Sequence, residues 1–163
     1  MKTLYLIRHA KSSWGDFTQP DFERPLNERG KKDASEMAQR LLDKKITIDA
    51  FVSSPAKRAK KTAKLFCKVF ETKEDNIILI DRLYNASPET FFEVVEALDN
   101  KLDAVAVFSH NPGITGFVNK LCKAVEIDEM PTCAIFAIEI NMDKWKDFRE
   151  TEKRFLFFDY PKN

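Results

Sequence analysis

Two short apolar runs that each end beside a histidine constrain the fold of this chain more than any other feature. Residues 4–7 lead into Arg8 and His9, and residues 105–109 lead into His110. Each run has the length and composition of a buried β-strand, and the chain contains no other histidine. Because open α/β sheets bind ligands outside the carboxyl ends of their strands, both histidines are expected in one crevice.

A third run of the same kind would bring a second arginine to that crevice. Residues 51–54 run into Pro55, and Arg58 falls on the first turn of the helix predicted to follow. Guanidinium groups match phosphate oxygens through paired hydrogen bonds, and helix N-termini add backbone N–H donors. Two arginines and two histidines at one sheet edge therefore predict a site for a phosphoryl group.

Apolar periodicity predicts an alternation of strands and helices along the whole chain. The predicted strands cover residues 2–7, 48–54, 76–80, 103–109, 133–140 and 153–160, the last two as antiparallel edge strands. The predicted helices begin near Asn27, with Pro55 in the first turn of the second, at Ser87-Pro88, and at Asn111-Pro112 with an apolar face reaching Val125. This order predicts a three-layer α/β/α sandwich with a mostly parallel central sheet.

Length and composition narrow the class of protein. A chain of 163 residues without a linker or repeat is expected to form a single domain, residues 1–163. The formal charge of +1 argues against a nucleic-acid partner. Cys67, Cys122 and Cys133 have no metal or disulfide spacing and are predicted to be reduced core thiols of a cytoplasmic protein. The first apolar run is too short for a signal peptide or a membrane span, so no membrane partner is expected.

Four sequence blocks carry a family resemblance. They are Leu6-Ile7-Arg8-His9-Ala10-Lys11-Ser12, then Leu26-Asn27-Glu28-Arg29-Gly30, then Ser53-Ser54-Pro55-Ala56-Lys57-Arg58-Ala59 with Thr62-Ala63, and Ser109-His110-Asn111-Pro112-Gly113. In this order they resemble the histidine phosphatase superfamily, and within it the short SixA-like phosphohistidine phosphatases. The resemblance spans nearly the whole chain and implies a phosphoglycerate mutase-like fold and a phosphatase that needs no cofactor.

The resemblance implies that His9 attacks phosphorus and becomes phosphorylated, while Arg8, Arg58 and His110 hold the non-bridging oxygens. Chemistry supports these roles, because phosphoryl transfer depends on positioning and on electrostatic stabilisation of the equatorial oxygens. Two guanidiniums and a second imidazole can supply both without a metal ion. A nucleophilic histidine also needs one ring nitrogen free and the other fixed by a hydrogen bond.

Residues 10–25 lack helical or strand periodicity and are predicted to form a functional loop beside the site. Ala10 and Gly15 depart from the glycine and the asparagine that many superfamily members carry there. Ser12 would partly replace the missing asparagine as a phosphate contact. Arg24 is predicted to contact phosphate or substrate, with a surface ion pair as an equal alternative.

Asn85 is a further candidate for substrate binding, because it lies roughly where mutase-like members carry a carboxylic acid. That acid protonates an alkoxide leaving group, whereas the imidazole of phosphohistidine can be protonated on its distal nitrogen and leave neutral. The missing acid therefore favours cleavage of P–N over P–O bonds. Asp16, Asp21 and Glu89 remain candidate acids in nearby loops, or are plain solvated carboxylates.

The first hypothesis is therefore a metal-independent phosphohistidine phosphatase acting on a phosphorylated protein through phospho-His9. Two alternatives stay open, namely a phosphomonoesterase for a small phosphorylated molecule and a module that binds phosphate without turnover. The basic cluster Lys57, Lys60, Lys61 and Lys64 would either steer an acidic phosphoprotein or form a solvated helix face. The sequence leaves the oligomeric state open.

Overall fold

All 163 residues are described by a computed structural model in which helices flank one six-stranded sheet. The strands are β1 Lys2–Arg8, β2 Ala50–Ser53, β3 Ile78–Leu79, β4 Ala104–Ser109, β5 Ile135–Ile140 and β6 Lys153–Asp159. The helices are α1 Glu28–Asp43, α2 Lys57–Val69, α3 Pro88–Glu96 and α4 Gly113–Val118. None of these helices is both long enough and apolar enough to cross a membrane.

Alternating side chains along the strands build two cores, one on each face of the sheet. In β1, Leu4 and Leu6 pack into the core that also contains side chains of α3 and α4. Tyr5 and Ile7 point the other way, into the core that contains side chains of α1 and α2. The sheet therefore lies between two helix layers, and the predicted α/β/α sandwich is confirmed.

The parallel half of the sheet positions the site. The strand order is β3-β2-β4-β1-β5-β6, and the first four strands in this order pair in parallel. The prediction that β5 is an edge strand is wrong, because it pairs in antiparallel fashion with both β1 and β6. Its nearly continuous burial explains that position. The carboxyl ends of β1, β2 and β4 meet at one edge, as the sequence predicts.

Two helix starts follow the sequence. Asn27 caps α1, because its side chain accepts a hydrogen bond from the backbone N–H of Gly30. Ser87 caps α3 in the same way, through the N–H of Thr90, with proline in the first turn. Both are short polar side chains that satisfy an otherwise unpaired N–H group, which is why the sequence alone identifies them.

Two other helix starts differ from the prediction. Pro55 lies outside α2, which begins two residues later at Lys57. Asn111 does not cap α4, since its amide donates to the Met130 carbonyl over 3.0 Å and accepts from the Thr115 hydroxyl over 2.6 Å. The Asn111 side chain, which the local sequence predicts to be a helix cap, therefore forms a long-range hydrogen bond to Met130 instead.

The fourth helix is also shorter than predicted. It ends at Val118, well before Val125, because Asn119 exchanges two hydrogen bonds of 2.8 Å with the backbone of Ile127 and closes a loop. Cys122 lies in that loop and is half-buried rather than in the core, whereas the other two cysteines are buried.

Replacing Gly113 by alanine is expected to lower the free energy of unfolding by roughly 3 kcal/mol. A Cβ at this position would collide with the backbone carbonyl oxygen of Ala86, which cannot move without displacing α3 from α4. Gly15→Ala is the control, because the nearest atom to its added Cβ is the Ser13 hydroxyl at 3.5 Å. Denaturant unfolding measures both variants, and equal stability of the two would contradict the expectation.

Candidate active site

The four predicted catalytic residues come together at the carboxyl edge of the parallel sheet. His9 and His110 follow β1 and β4, and their ring centroids lie 5.2 Å apart. Arg58 lies in the first turn of α2, and its Nε is 3.4 Å from Nε2 of His9. Arg8 ends β1, and its Nη1 donates to the Met130 carbonyl over 2.8 Å. The fold therefore assembles two imidazoles and two guanidiniums at one sheet edge.

The ring of His9 is held in a tautomer that suits nucleophilic attack. Its Nδ1 lies 2.7 Å from the carbonyl oxygen of Ala10, which can only accept, so Nδ1 carries the proton and Nε2 keeps its lone pair, which accepts from Nε of Arg58 over 3.4 Å. Thr62 fixes this turn, because its hydroxyl accepts the N–H of Ala10 over 3.0 Å and donates to the Arg58 carbonyl over 2.8 Å. The backbone thus supplies the hydrogen bond that a nucleophilic histidine requires.

Both imidazoles are neutral at physiological pH. Burial lowers the pKa of His9 to about 3, and the positive charges of Arg58 and Arg8 act in the same direction. Burial and then the charge of Arg58 lower the pKa of His110 to about 3 as well. A neutral ring retains a lone pair, so His9 needs no separate base to become nucleophilic.

We expect neither histidine ring to titrate between about pH 8 and pH 5, since an unperturbed histidine titrates near pH 6.5. Unfolded histidines bind protons below about pH 6.5, whereas the folded rings do so only near pH 3. The free energy of unfolding should therefore fall as the pH decreases from about 6.5 towards 3, by on the order of 1 kcal/mol per pH unit for each ring. Because the chain has only two histidines, its imidazole NMR resonances report on these two rings alone. A titration of either resonance with a midpoint near pH 6.5 would contradict the expectation.

Ser54 contacts the ring of His110 directly. Its Oγ lies 2.7 Å from Nε2 of His110 and accepts the N–H of Ala56 over 3.2 Å. When the serine O–H donates to Nε2, the neutral ring carries its proton on Nδ1, a buried atom without another partner in the protein. In this tautomer His110 presents an unpartnered N–H group at the site.

Ser54→Ala is expected to lower kcat about tenfold, because the His110 proton would no longer be fixed on Nδ1. The nitrogen chemical shifts of His110 provide a readout that a purely structural role would not move. They should show Nδ1 protonated in the wild-type protein and a mixture of tautomers in the variant. Ser53→Ala is the matched control, because that hydroxyl donates only to a backbone carbonyl. Unchanged His110 shifts in Ser54→Ala would contradict this role.

Three buried side-chain nitrogens in the structure lack a hydrogen-bond partner, and all three belong to predicted site residues. They are Nε of Arg8, Nε of Arg24 and Nδ1 of His110. A buried donor without an acceptor costs about 1–3 kcal/mol. A phosphoryl group carries several acceptor oxygens and has the chemistry that such donors require.

Asp21 and Tyr84 join the site from the loops above it. The Asp21 carboxylate accepts from Nη2 of Arg58 over 3.0 Å and from the Tyr84 hydroxyl over 2.7 Å, and its carbonyl accepts from Nη1 of Arg58 over 2.7 Å. The Tyr84 ring packs edge-on against His110, with centroids 5.6 Å apart. The sequence suggests Asp21 only as an acid, and no local signal marks Tyr84, since 63 residues separate it from Asp21.

Ser12 and Arg24, the two predicted substrate contacts on the long loop, contact each other. Nη1 of Arg24 donates to the Ser12 hydroxyl, and Nη2 donates to Asp21 over 3.1 Å. The guanidinium also stacks 3.7 Å from the centre of the Trp14 ring. Arg24 thus forms an ion pair with the same carboxylate that binds Arg58, but its side chain is only 14% exposed, and its contact with phosphate or substrate stays a prediction.

Asn85 follows Tyr84 directly and adopts a left-handed backbone conformation, with φ of 59°. Asparagine tolerates this conformation better than most residues. Its side chain is exposed and makes no hydrogen bond within the protein. The structure places Asn85 beside the site, and its part in substrate binding stays a prediction.

The other candidate acids lie apart from the cluster. The Asp16 carboxylate accepts hydrogen bonds from the backbone and hydroxyl of Thr18. Glu89 forms an ion pair of 2.9 Å with Arg149. No group of three or more His, Cys, Asp or Glu side chains is placed to hold a metal ion.

Known proteins share both the sequence pattern and the fold. The sequence profile of the histidine phosphatase superfamily, branch 1, matches residues 4–91. An uncharacterized chloroplastic protein of Arabidopsis thaliana is 35% identical over 85 residues, which are 52% of this chain but only 39% of that relative. The match therefore spans less than half the length of that curated protein.

Solved structures extend the comparison over the whole chain. A SixA phosphohistidine phosphatase candidate from Agrobacterium tumefaciens is 27% identical, with a TM-score of 0.81 over 98% of both chains. The protein histidine phosphatase SixA in complex with tungstate is 21% identical, with a TM-score of 0.83 over 99% of this chain and 98% of that one. This chain is therefore a member of the histidine phosphatase superfamily, and its fold is that of the SixA-like members.

Proposed function

We propose that the protein is a phosphohistidine phosphatase that acts on a phosphorylated protein, through a phospho-His9 intermediate and without a metal ion. The observation that carries the proposal is the set of unpartnered buried donors on Arg8, Arg24 and His110, in a site where Nε2 of His9 carries a lone pair. Donors of this kind stabilise the oxygens of a phosphoryl group while the nitrogen attacks phosphorus.

In the first step, the lone pair of His9 Nε2 attacks phosphorus and the bond between phosphorus and the substrate imidazole breaks. The electron pair of that bond stays on the substrate nitrogen, and the ring, already protonated on its distal nitrogen, leaves neutral. Arg8, Arg58 and His110 stabilise the charge on the equatorial oxygens. These groups supply the positive charge and the donors that a metal ion supplies in many other phosphoryl-transfer sites.

In the second step, water attacks phospho-His9 and the new P–N bond breaks. The electron pair returns to Nε2, and both protons of the water stay on the phosphate product, which forms as H₂PO₄⁻. Because Nδ1 keeps its proton and its bond to the Ala10 carbonyl, His9 leaves as a neutral imidazole. The leaving groups of both steps are thus neutral imidazoles, and neither step requires a carboxylic acid.

The state of Asp21 supports P–N rather than P–O cleavage. Burial raises the pKa of this carboxyl, but hydrogen bonds from Tyr84, Arg58 and Arg24 outweigh burial and lower the pKa to about 2. An ionised carboxylate cannot protonate an alkoxide leaving group. No other carboxylate is hydrogen-bonded to the four residues of the cluster.

Exposed aromatic side chains beside the site support a protein as the substrate. Trp14 and Phe17 lie on the loop that carries Asp21 and are 67% and 92% exposed. Aromatic residues at a surface are typical of contacts with a protein partner. The similar Agrobacterium structure, described as a phosphohistidine phosphatase candidate, points to the same substrate class.

A phosphomonoesterase for small molecules is the second candidate, and one observation favours it. Asp21 is hydrogen-bonded to Arg58, so an arriving phosphoryl group would compete for that guanidinium. The loss of this partner and the negative charge of the substrate would both raise the pKa of Asp21. In that case Asp21 could gain a proton and act as the acid.

Phosphate release from a phosphohistidine-bearing protein and from a sugar phosphate tests the two candidates. With phosphohistidine as the natural substrate, the protein substrate should react at least about tenfold faster, and Asp21→Asn should retain most of that rate. A preference for the sugar phosphate that disappears in Asp21→Asn would support the phosphomonoesterase, because an alkoxide depends on a proton donor. Asp16→Asn is the control, since Asp16 lies outside the cluster.

A further inference from the structure

A basic groove runs beside the active site along the exposed face of α2. It has a volume of about 470 Å³ and is lined by Pro25, Leu26 and five lysines, namely Lys31, Lys57, Lys60, Lys61 and Lys64. Four of these lysines belong to α2, where they follow the spacing i, i+3, i+4, i+7 and therefore share one face of the helix. At 1.5 Å per residue they extend over about 10 Å.

The charge of this groove is not neutralised within the protein. Lys31 pairs with Glu28 over 3.1 Å, whereas the four groove lysines of α2 form no ion pair. The helix Lys57–Val69 contains no acidic residue at all. With a net charge of only +1 for the whole chain, this local excess of positive charge is a property of one surface.

The groove and the catalytic cluster are built on the same two segments of the chain. Arg58, which belongs to the cluster, follows Lys57 in the first turn of α2. The opposite wall belongs to the site loop, because Pro25 lines the groove and its carbonyl accepts the N–H of Ser13 over 2.8 Å. A ligand along the lysines would therefore lie on the elements that also carry the cluster.

The chemistry of the groove favours an acidic protein surface over a small anion. Lysines are flexible point charges, and the groove contains no arginine fork to clamp one phosphate or carboxylate group. It also contains no aromatic side chain on which the bases of a single-stranded nucleic acid could stack. A row of separate cations is best matched by a row of separate carboxylates.

We infer that the lysine face of α2 is a docking surface for an acidic segment that flanks the phosphohistidine of the protein substrate. This inference rests on the proposed function, whose catalytic site it supplements with a second point of contact. Charge complementarity of this kind accelerates association and selects partners, and salt screens it. The groove therefore serves the encounter with the substrate, while the cluster around His9 serves the reaction.

The test uses two short phosphohistidine peptides that differ only in flanking residues, glutamates in one and glutamines in the other. For the wild-type protein at low ionic strength, kcat/KM should be about tenfold higher with the glutamate peptide. The combined variant Lys60→Glu, Lys61→Glu, Lys64→Glu should abolish this preference and leave hydrolysis of free phosphohistidine within about threefold. High salt should abolish it in the wild-type protein.

A matched control variant changes the net charge by the same amount as the α2 variant, but at a distant surface. Lys101, Lys144 and Lys146 are exposed and lie around Asn100, which bonds to Lys2 at the other end of β1. Their combined change to glutamate should keep the peptide preference. A preference that survives in the α2 variant, or that is lost equally in this control, would overturn the docking surface.

A binding measurement separates this inference from the proposed function. Fluorescence anisotropy of the unphosphorylated glutamate peptide requires no turnover, so it reports on docking even if no phosphohistidine compound is hydrolysed. Binding that depends on Lys60, Lys61 and Lys64 would support the groove as a docking surface. Equal binding of the glutamine peptide, or displacement of the glutamate peptide by a lower concentration of single-stranded DNA, would overturn it.

Discussion

Replacing His9 by alanine is expected to lower phosphate release by roughly 10⁴-fold or more, because the variant has no nitrogen to accept the phosphoryl group. Nε2 of His9 is the unprotonated nitrogen that carries the lone pair, since Nδ1 donates its proton to the Ala10 carbonyl. Burial keeps the ring neutral and therefore nucleophilic over the physiological range. No other side chain of the cluster combines these properties.

The decisive measurement is the phosphoenzyme itself. After brief mixing with a labelled phosphodonor, the wild-type protein should carry an acid-labile label on histidine, and His9→Ala should carry none. His110→Ala is the matched control, because it removes the second buried imidazole but leaves the nucleophile. A slowly formed label in His110→Ala would agree with the assigned roles. If His9→Ala carried as much label as the wild-type protein, another residue would be the nucleophile.

The folded state should survive the loss of the His9 ring. The ring makes only two hydrogen bonds, to the Ala10 carbonyl and from Nε of Arg58, and it is 5% exposed at the rim of the sheet rather than in either core. We expect the free energy of unfolding to change by about 1–2 kcal/mol at most at neutral pH. The far-UV circular dichroism spectrum of His9→Ala should therefore match that of the wild-type protein, even though the variant has lost turnover.

Replacing Arg58 by alanine is expected to lower kcat by roughly 10³-fold. The guanidinium is 6% exposed, and its Nε points at the nucleophilic Nε2 of His9 over 3.4 Å. A buried cation beside the reacting atom stabilises charge on the phosphoryl oxygens far more than a solvated cation does. Stabilisation that exists mainly in the transition state should appear in kcat more than in KM.

Two further variants separate charge from geometry at this position. Arg58→Lys keeps the charge but lacks the planar fork, and it should recover less than about a tenth of the wild-type kcat. Arg82→Ala is the control for the loss of an arginine, because Arg82 is exposed and pairs only with Glu93 at the surface. Full activity in Arg58→Ala, or equal loss in Arg82→Ala, would contradict a role for Arg58 in phosphoryl transfer.

Much of the fold could be predicted because the relevant signals are local. In β1 and β4, continuous apolar runs mark strands that are buried on both faces, so their positions are visible in the sequence. The caps Asn27 and Ser87 are also visible, because each satisfies backbone groups three residues away. Strands and helix caps of this kind can be predicted because they depend only on residues that are close together in the chain.

The short fourth helix and the central position of β5 could not be predicted in this way. Asn111 looks like a helix cap, but its amide reaches the carbonyl of Met130, which is 19 residues away. The apolar run of β5 fits an edge strand or a central strand equally well. The choice depends on which strands pair on either side of β5, and residues distant in the chain decide that pairing.

The sequence by itself determined that two histidines and two arginines would meet, because strand ends and a helix start are local features and parallel strands share one edge. The tertiary structure alone decided what each of these groups does. Ser54 reaches His110 from 56 residues away, and Thr62 reaches the backbone beside His9 from 52 residues away. The hydrogen bond to the Ala10 carbonyl fixes the tautomer of His9. Burial lowers both pKa values, because desolvation depends on everything that packs around a ring.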